Sequence, residues 1–185
     1  PVTQHYLVCR LLLEKKKNQY LSRRRIRHIV GYVPQDIALF EHMTVMENIE
    51  FFKSLCENPI SDETLHSYLS QLNFTDTKVK VSNLSGGNKR KVNIMIGLLS
   101  RPKILILDEP TEGIDLESRY DIHNLLQQMT DQCLIIMTTH HLDEVEALAD
   151  DIKVIGQNPF YHDILENKGW SFKKYANALA DNTKS

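Results

Sequence analysis

Short apolar runs alternate with amphipathic stretches through the second half of the chain, and few architectures accommodate that order. Lys103–Leu107 predicts a buried strand, Leu116–Met129 a helix, Cys133–Thr138 a strand, Leu142–Ala149 a helix and Ile152–Ile155 a last strand. Ile104-Leu105-Ile106-Leu107 is apolar at every position, the pattern of a strand covered on both faces. Strands alternating with helices in this way imply an α/β fold with a mainly parallel sheet flanked by helices.

The first half adds a helical block to that sheet. Ile29–Val33 is β-prone and ends at Pro34, which fixes φ and has no N–H to donate. Thr44 followed by Glu47 is a capping box, and Val45, Ile49, Phe52 and Cys56 recur at helical spacing, so a helix is expected over 45–56. Ser61 is a candidate N-cap for a second helix, with Leu65, Tyr68, Leu69 and Leu72 on one face. A third helix is expected to continue through Lys89–Leu99 after Leu84-Ser85-Gly86-Gly87-Asn88.

Composition excludes several classes. With 42% hydrophobic and 25% charged residues, 7 Gly and 6 Pro in 185, the chain is neither disordered nor a linker. Its apolar runs fall far short of the roughly 20 residues of a membrane span. Three scattered cysteines, Cys9, Cys56 and Cys133, form neither a disulfide framework nor a zinc spacing and suit a reducing, cytosolic compartment. Residues 1–30 carry eight Lys or Arg and one acid, so they form a compositionally separate basic segment, more simply a solvated face than a nucleic-acid arm. The sequence opens at Pro1, its first methionine is Met43, and it reads as beginning inside a longer one.

Four motifs carry chemistry. Asp108 and Glu109 follow an apolar strand, and ligands in open α/β sheets sit beyond the carboxyl ends of strands. Two adjacent acids there suit a Mg²⁺ ligand beside a general base for water; taken alone they could equally be an acidic turn. Ser85-Gly86-Gly87 precedes a helix, where glycines admit close backbone approach and the free N–H groups attract a phosphate; taken alone it is also a common turn. His140, just past a strand end, faces the same crevice as Asp108 and can donate to a phosphate oxygen or a water. Gln35, after Pro34, offers a neutral amide at the end of the first strand. The string His140-His141-Leu142-Asp143-Glu144 matches no metal-ligand spacing, and no metal is expected on it.

Together these residues resemble the ATP-binding cassette (ABC) family over about 29–155. Gly31-Tyr32-Val33-Pro34-Gln35-Asp36 resembles the Q-loop, Leu84–Asn88 the signature motif and Ile104–Glu109 the Walker B strand with its glutamate. Glu112-Gly113-Ile114-Asp115 resembles the D-loop, and Thr138-Thr139-His140-His141 the H-loop. Five motifs in the family's order make the likeness specific. The wording around Asp108–Asp115 and Thr139–Glu144 is similar to the lipid-exporter-like A subfamily.

The resemblance implies a P-loop NTPase-type fold and the cofactors ATP and Mg²⁺. It implies Asp108 on the metal, Glu109 as general base, His140 as switch, and Gln35 as sensor of metal and γ-phosphate and contact to a transmembrane partner. Ser85, Gly86 and Gly87 would contact ATP held by a second cassette, with Asp115 at that shared interface. Partners would be a second nucleotide-binding domain and a transporter's transmembrane domain, at the cytoplasmic face of a membrane, with no nucleic acid. Domain boundaries follow: 1–28 a basic remnant of the core, 29–156 the ATPase domain with a helical subdomain at about 44–100, and 157–185 a tail.

One element of the family pattern does not occur. No Gly-x-x-x-x-Gly-Lys-Ser/Thr is present, since Lys53-Ser54 and Lys184-Ser185 lack the preceding glycine. That Walker A loop supplies most of the donors that cradle a triphosphate, so negligible ATP affinity is expected of the chain alone. Residues 1–28 read as irregular, which predicts an incomplete core sheet. Asn88 stands where the signature usually has Gln, a change that keeps the amide. Two alternatives are a non-catalytic half lending its signature motif to a partner, and a soluble ribosome-associated cassette.

Overall fold

The computed structural model describes residues 29–154 and, in its backbone, the strand Tyr6–Cys9. The predicted tail at 157–185 lies outside the described residues. Five strands, β1 (Tyr6–Cys9), β2 (Val30–Val33), β3 (Ile104–Asp108), β4 (Leu134–Thr139) and β5 (Ile152–Val154), form one sheet in the order β2-β3-β4-β1-β5. Pairing of β2 with β3 and of β3 with β4 is parallel, as the alternation requires, with Val33 opposite Leu107 and Asp108 opposite Thr138. The carboxyl ends of these three strands therefore reach the same edge.

The sheet is more complete than residues 1–28 suggested. Tyr6–Cys9 pairs antiparallel with both β4 and β5, filling the slot between them. Tyr-Leu-Val-Cys is a β-prone string, but four residues in a basic segment give too little periodicity to separate from irregular chain. Its direction matters, because Tyr6 lies opposite Thr139 and Cys9 opposite Ile136. The carboxyl end of β1 thus points away from the edge that bears Asp108.

Between β2 and β3 the chain builds α1 (Val45–Ser54), α2 (Asp62–Gln71), a 3₁₀ turn (Val81–Asn83) and α3 (Gly86–Leu98). The capping box of α1 is complete: Thr44 Oγ1 accepts from Glu47 N, and Glu47 Oε2 accepts from Thr44 N at 2.7 Å. Further N–H groups of the first turn donate to the Val79 and Thr77 carbonyls, tying α1 to the turn that precedes the 3₁₀ turn. Helix α1 ends at Ser54, two residues before the periodicity does, because Leu55 caps it. Ser61 caps α2 and Ser85 caps α3, so α3 starts at Gly86 and the two glycines form its first turn.

Helix α3 is buried from Gly87 through Leu98 except at Asn88, Lys89 and Ile96. It rests on β2 through a glycine pair: a Cβ on Gly31 would lie 2.4 Å from the Gly97 carbonyl, and one on Gly97 2.5 Å from Val33 Cγ2. Helices α4 (Leu116–Met129) and α5 (Leu142–Leu148) follow β3 and β4. Leu105, Leu107, Ile122, Leu125 and Leu126 join Ile49, Met95 and Leu98 in one continuous core. Each such side chain contributes about 1.5–3 kcal/mol of burial.

Candidate functional site

Strand β3 ends one residue later than its apolar run, and this single step builds the site. Asp108 is the last strand residue, and Thr138 Oγ1 donates to its Oδ1 at 2.6 Å from the adjacent strand. Glu109 then turns sharply, with φ 46° in the left-handed region that a non-glycine residue seldom occupies. Its N–H donates to both the carbonyl and the hydroxyl of Thr138, each at 3.1 Å. The turn swings the Glu109 side chain inward, where the residue is 1% exposed.

His140 meets it there. Glu109 Oε2 lies 3.0 Å from His140 Nδ1, and the imidazole is 35% exposed against 1% for the carboxylate. Such a contact fixes the ring's orientation and leaves its other nitrogen facing outward. That nitrogen, Nε2, lies 3.2 Å from Glu112 Oε2, and His141 Nε2 lies 3.2 Å from the same oxygen. Asp108, Glu109 and His140 are therefore one constellation at the carboxyl ends of β3 and β4.

A second constellation forms about the start of α3. Ser85 Oγ accepts from Asn88 N at 3.2 Å, and Asp115, the N-cap of α4, accepts from Ser118 N at 2.8 Å. Hydrogen bonds from the Ser118 backbone and hydroxyl hold the Asp115 carboxyl below the usual range. Gly87 packs against this cap, so Ser85–Gly87 and Asp115 are brought together. Gln35 belongs to neither group. It is exposed and anchored through its backbone carbonyl, which accepts from Arg90 Nη2, while Arg90 Nη1 donates to the Pro34 carbonyl at 2.8 Å. Burial pulls the Arg90 guanidinium below its ordinary value, partly opposed by the Asp36 charge.

Several contributors went unread in the sequence. Thr138 looked like the end of a strand, yet its hydroxyl organises both acids. Arg90 and Lys91 sat inside a helix of mixed polarity, and their burial was signalled only by the apolar residues around them. Of the string after His140, Asp143 pairs with Arg119 at 2.9 Å, and Glu144 is wholly buried, accepting from Thr111 Oγ1 at 2.8 Å.

An acid pair and an imidazole thus stand together beyond the carboxyl ends of adjacent parallel strands, the place where an open α/β sheet receives its ligand. The sequence matches the ABC transporter family over residues 9–112, more than half of its length, and the chain belongs to that family. It is 40% identical over 136 residues to ATP-binding cassette sub-family A member 17 of Rattus norvegicus, covering 72% of this chain and 8% of that protein. It is 35% identical over 147 residues to the retinal-specific phospholipid-transporting ATPase ABCA4 of Bos taurus, covering 74% of this chain and 6% of that one. The chain thus spans less than a tenth of these relatives, both of which are sub-family A proteins, the subfamily its motifs resemble. In fold it is similar to the dimeric structure of MJ0796, a bacterial ABC transporter cassette, with TM-score 0.58 and 20% identity over 75% of this chain and 69% of that one. The expectation of a parallel sheet flanked by helices is met, with β1 as its antiparallel member.

Proposed function

We propose that this chain is part of the nucleotide-binding domain of an ABC transporter and serves to couple ATP binding and hydrolysis to transport across a membrane. The observation that carries this reading is the contact of Glu109 Oε2 with His140 Nδ1 at 3.0 Å, beside Asp108, where two parallel strands end. A buried carboxylate held by an imidazole is suited to take the proton of an attacking water. His140 positions that carboxylate and retains a second nitrogen toward the crevice. Asp108, steadied by Thr138, is the residue to hold Mg²⁺, with Gln35 at the neighbouring strand end. When bound, Mg²⁺ neutralises charge on the transferring phosphoryl group and its leaving group.

These residues fit the metal and water end of an ATP site, and the phosphate cradle is not among them. A phosphate-binding loop follows the carboxyl end of a parallel strand. Strand β1 runs the other way, and no Gly-x-x-x-x-Gly-Lys-Ser/Thr occurs in the sequence. Negligible ATP affinity of this chain by itself is part of the proposal.

Ser85, Gly86, Gly87 and Asp115 form the face we assign to a second cassette, a reading supported by the dimeric form of the similar bacterial cassette. A transmembrane domain is assigned to the surface about Gln35, where exposed Ile37 lines a hollow with Gln35 and Arg90 and where exposed Phe40 packs edge-on against exposed Phe51. No helix among the described residues is long and apolar enough to cross a membrane, so the transport path is assigned to that partner, with this domain on its cytoplasmic face. The domain division at 1–28, 29–156 and 157–185 belongs to the same reading.

Nucleotide binding and phosphate release by the chain, alone and mixed with a cassette that carries its own phosphate loop, test the proposal. The expected outcome is silence alone and activity in the mixture that Ser85→Arg and Glu109→Gln each reduce. Loss on Ser85→Arg alone, with Glu109→Gln neutral, would mark a half that only lends its signature motif. Hydrolysis by the lone chain, abolished by Glu109→Gln, would overturn the claim about the cradle.

A further inference from the structure

Glu112, His140 and His141 present three ligand atoms to one point. Glu112 Oε2 is 3.2 Å from His140 Nε2 and 3.2 Å from His141 Nε2, and all three atoms lie within 4.8 Å of one another. Four ligands at about 2.0–2.1 Å around a tetrahedral ion stand about 3.3 Å apart, so both separations match an edge of a zinc coordination shell. The two rings lie 4.2 Å apart between centroids and are tilted by 36°, and both turn an Nε2 toward the same Glu112 oxygen. All three residues remain partly open to solvent, at 27–40% side-chain exposure, which gives an ion an entry path and a place for a water as fourth ligand.

The surroundings also suit a metal. A histidine ligand commonly gives its other ring nitrogen to a carboxylate, which fixes the tautomer and raises the basicity of the metal-facing nitrogen. Glu109 Oε2 occupies that position on His140, 3.0 Å from Nδ1. Imidazole with carboxylate is a donor set for zinc and its neighbours in the first transition row rather than for Mg²⁺. Spacing along the chain conceals the site, because Glu112 comes from the loop after β3, 29 residues before His141.

We propose that Glu112, His140 and His141 bind Zn²⁺, with Glu109 supporting His140 from behind. Occupancy withdraws His140 Nε2 from the crevice, so the bound ion holds the switch histidine and restrains the nucleotide site. The restraint rests on the function proposed above, whereas the metal binding does not.

Zn²⁺ titration of the full chain against a chromophoric chelator, with Co²⁺ substitution as a spectroscopic readout, tests the site without nucleotide. One equivalent is expected to bind, with the intense visible bands of four-coordinate Co²⁺. His141→Ala and Glu112→Gln are each expected to abolish those bands, and Glu109→Gln to weaken binding by about 10–100-fold. Variants outside the cluster, Cys56→Ser and His66→Ala, are expected to change nothing. Absence of saturable binding, or binding indifferent to both His141→Ala and Glu112→Gln, overturns the proposal. If one of those variants fails to fold, the other and the imidazole ¹⁵N shifts of the wild-type chain under Zn²⁺ decide it. Zn²⁺ bound at this site without effect on phosphate release in the mixed-cassette assay would sink the restraint and leave the site standing.

Discussion

Gly87 lies so close to Asp115 that a Cβ at position 87 would stand 2.6 Å from Asp115 Oδ2, and 2.2 Å from Ser118 Oγ. The start of α3 is thus seated on the cap of α4, and the motif's second glycine is required by packing within the chain, whatever it does toward a phosphate. Gly86, by contrast, has nothing within 4 Å of the corresponding position. Gly87→Ala is expected to lower stability by about 1–3 kcal/mol by overpacking, and Gly86→Ala to leave the urea midpoint nearly unchanged. Equal midpoints for the two variants would contradict the contact.

Lys91 makes a second tie between the same helices. Its Nζ donates to Asp121 Oδ2 at 2.6 Å with both side chains almost wholly buried, and Asn73 Nδ2 donates to Asp121 Oδ1 at 2.7 Å. Removing one partner of a buried pair strands the other's charge, so Lys91→Met is expected to cost about 3–5 kcal/mol. The double variant Lys91→Met, Asp121→Leu removes both charges and is expected to recover much of that loss. A double variant as unstable as the sum of its singles, in urea unfolding, would show that the pair is not coupled.

The legible part of this molecule was the part written in local chemistry. Thr44 and Ser61 cap their helices because a short polar oxygen reaches an N–H three residues on, a rule that needs no tertiary knowledge. Asp108, Glu109 and His140 were legible because each follows an apolar run, which places it beyond a strand end. What eluded the sequence depends on contacts distant along the chain. Thr138 gains its role from strand pairing with Asp108, Glu112 from sharing two imidazoles, and Lys91 from a partner 30 residues away. Strand β1 was missed because its place is set by the vacancy between β4 and β5 and not by its own periodicity.

Glu144 provides a pH-dependent prediction. Burial opposes its ionisation, but hydrogen bonds from His123, Thr139 and Thr111 outweigh that and hold its carboxyl below the ordinary value of 4.5. A carboxyl lowered on folding stabilises fully above its unfolded pKa, and the contribution is lost as pH falls through the folded value. The urea midpoint is therefore expected to drop below about pH 4.5, and Glu144→Gln to flatten that part of the profile. Thr111→Val, which removes one donor, is expected to move the acid limb to higher pH. Superimposable acid limbs for all three proteins would contradict the assignment.

Thr138 joins fold to chemistry, and its substitution separates two roles that the strand end combines. The hydroxyl donates to Asp108 and accepts from the Glu109 N–H, so it steadies one acid and the left-handed turn that aims the other. Thr138→Ser keeps the hydroxyl and loses only a methyl group, whereas Thr138→Val keeps the shape and loses both hydrogen bonds. A hydrogen bond to a charged group is worth about 1.5–3 kcal/mol, and Thr138→Val is expected to lose that much stability while Thr138→Ser loses less. In the mixed-cassette assay the same order is expected for phosphate release, because an unsteadied Asp108 holds the metal less well and a relaxed Glu109 no longer meets His140. If Thr138→Val matched Thr138→Ser in both measurements, the strained turn would have to be maintained by the Thr138 carbonyl alone, and the hydroxyl would drop out of the site.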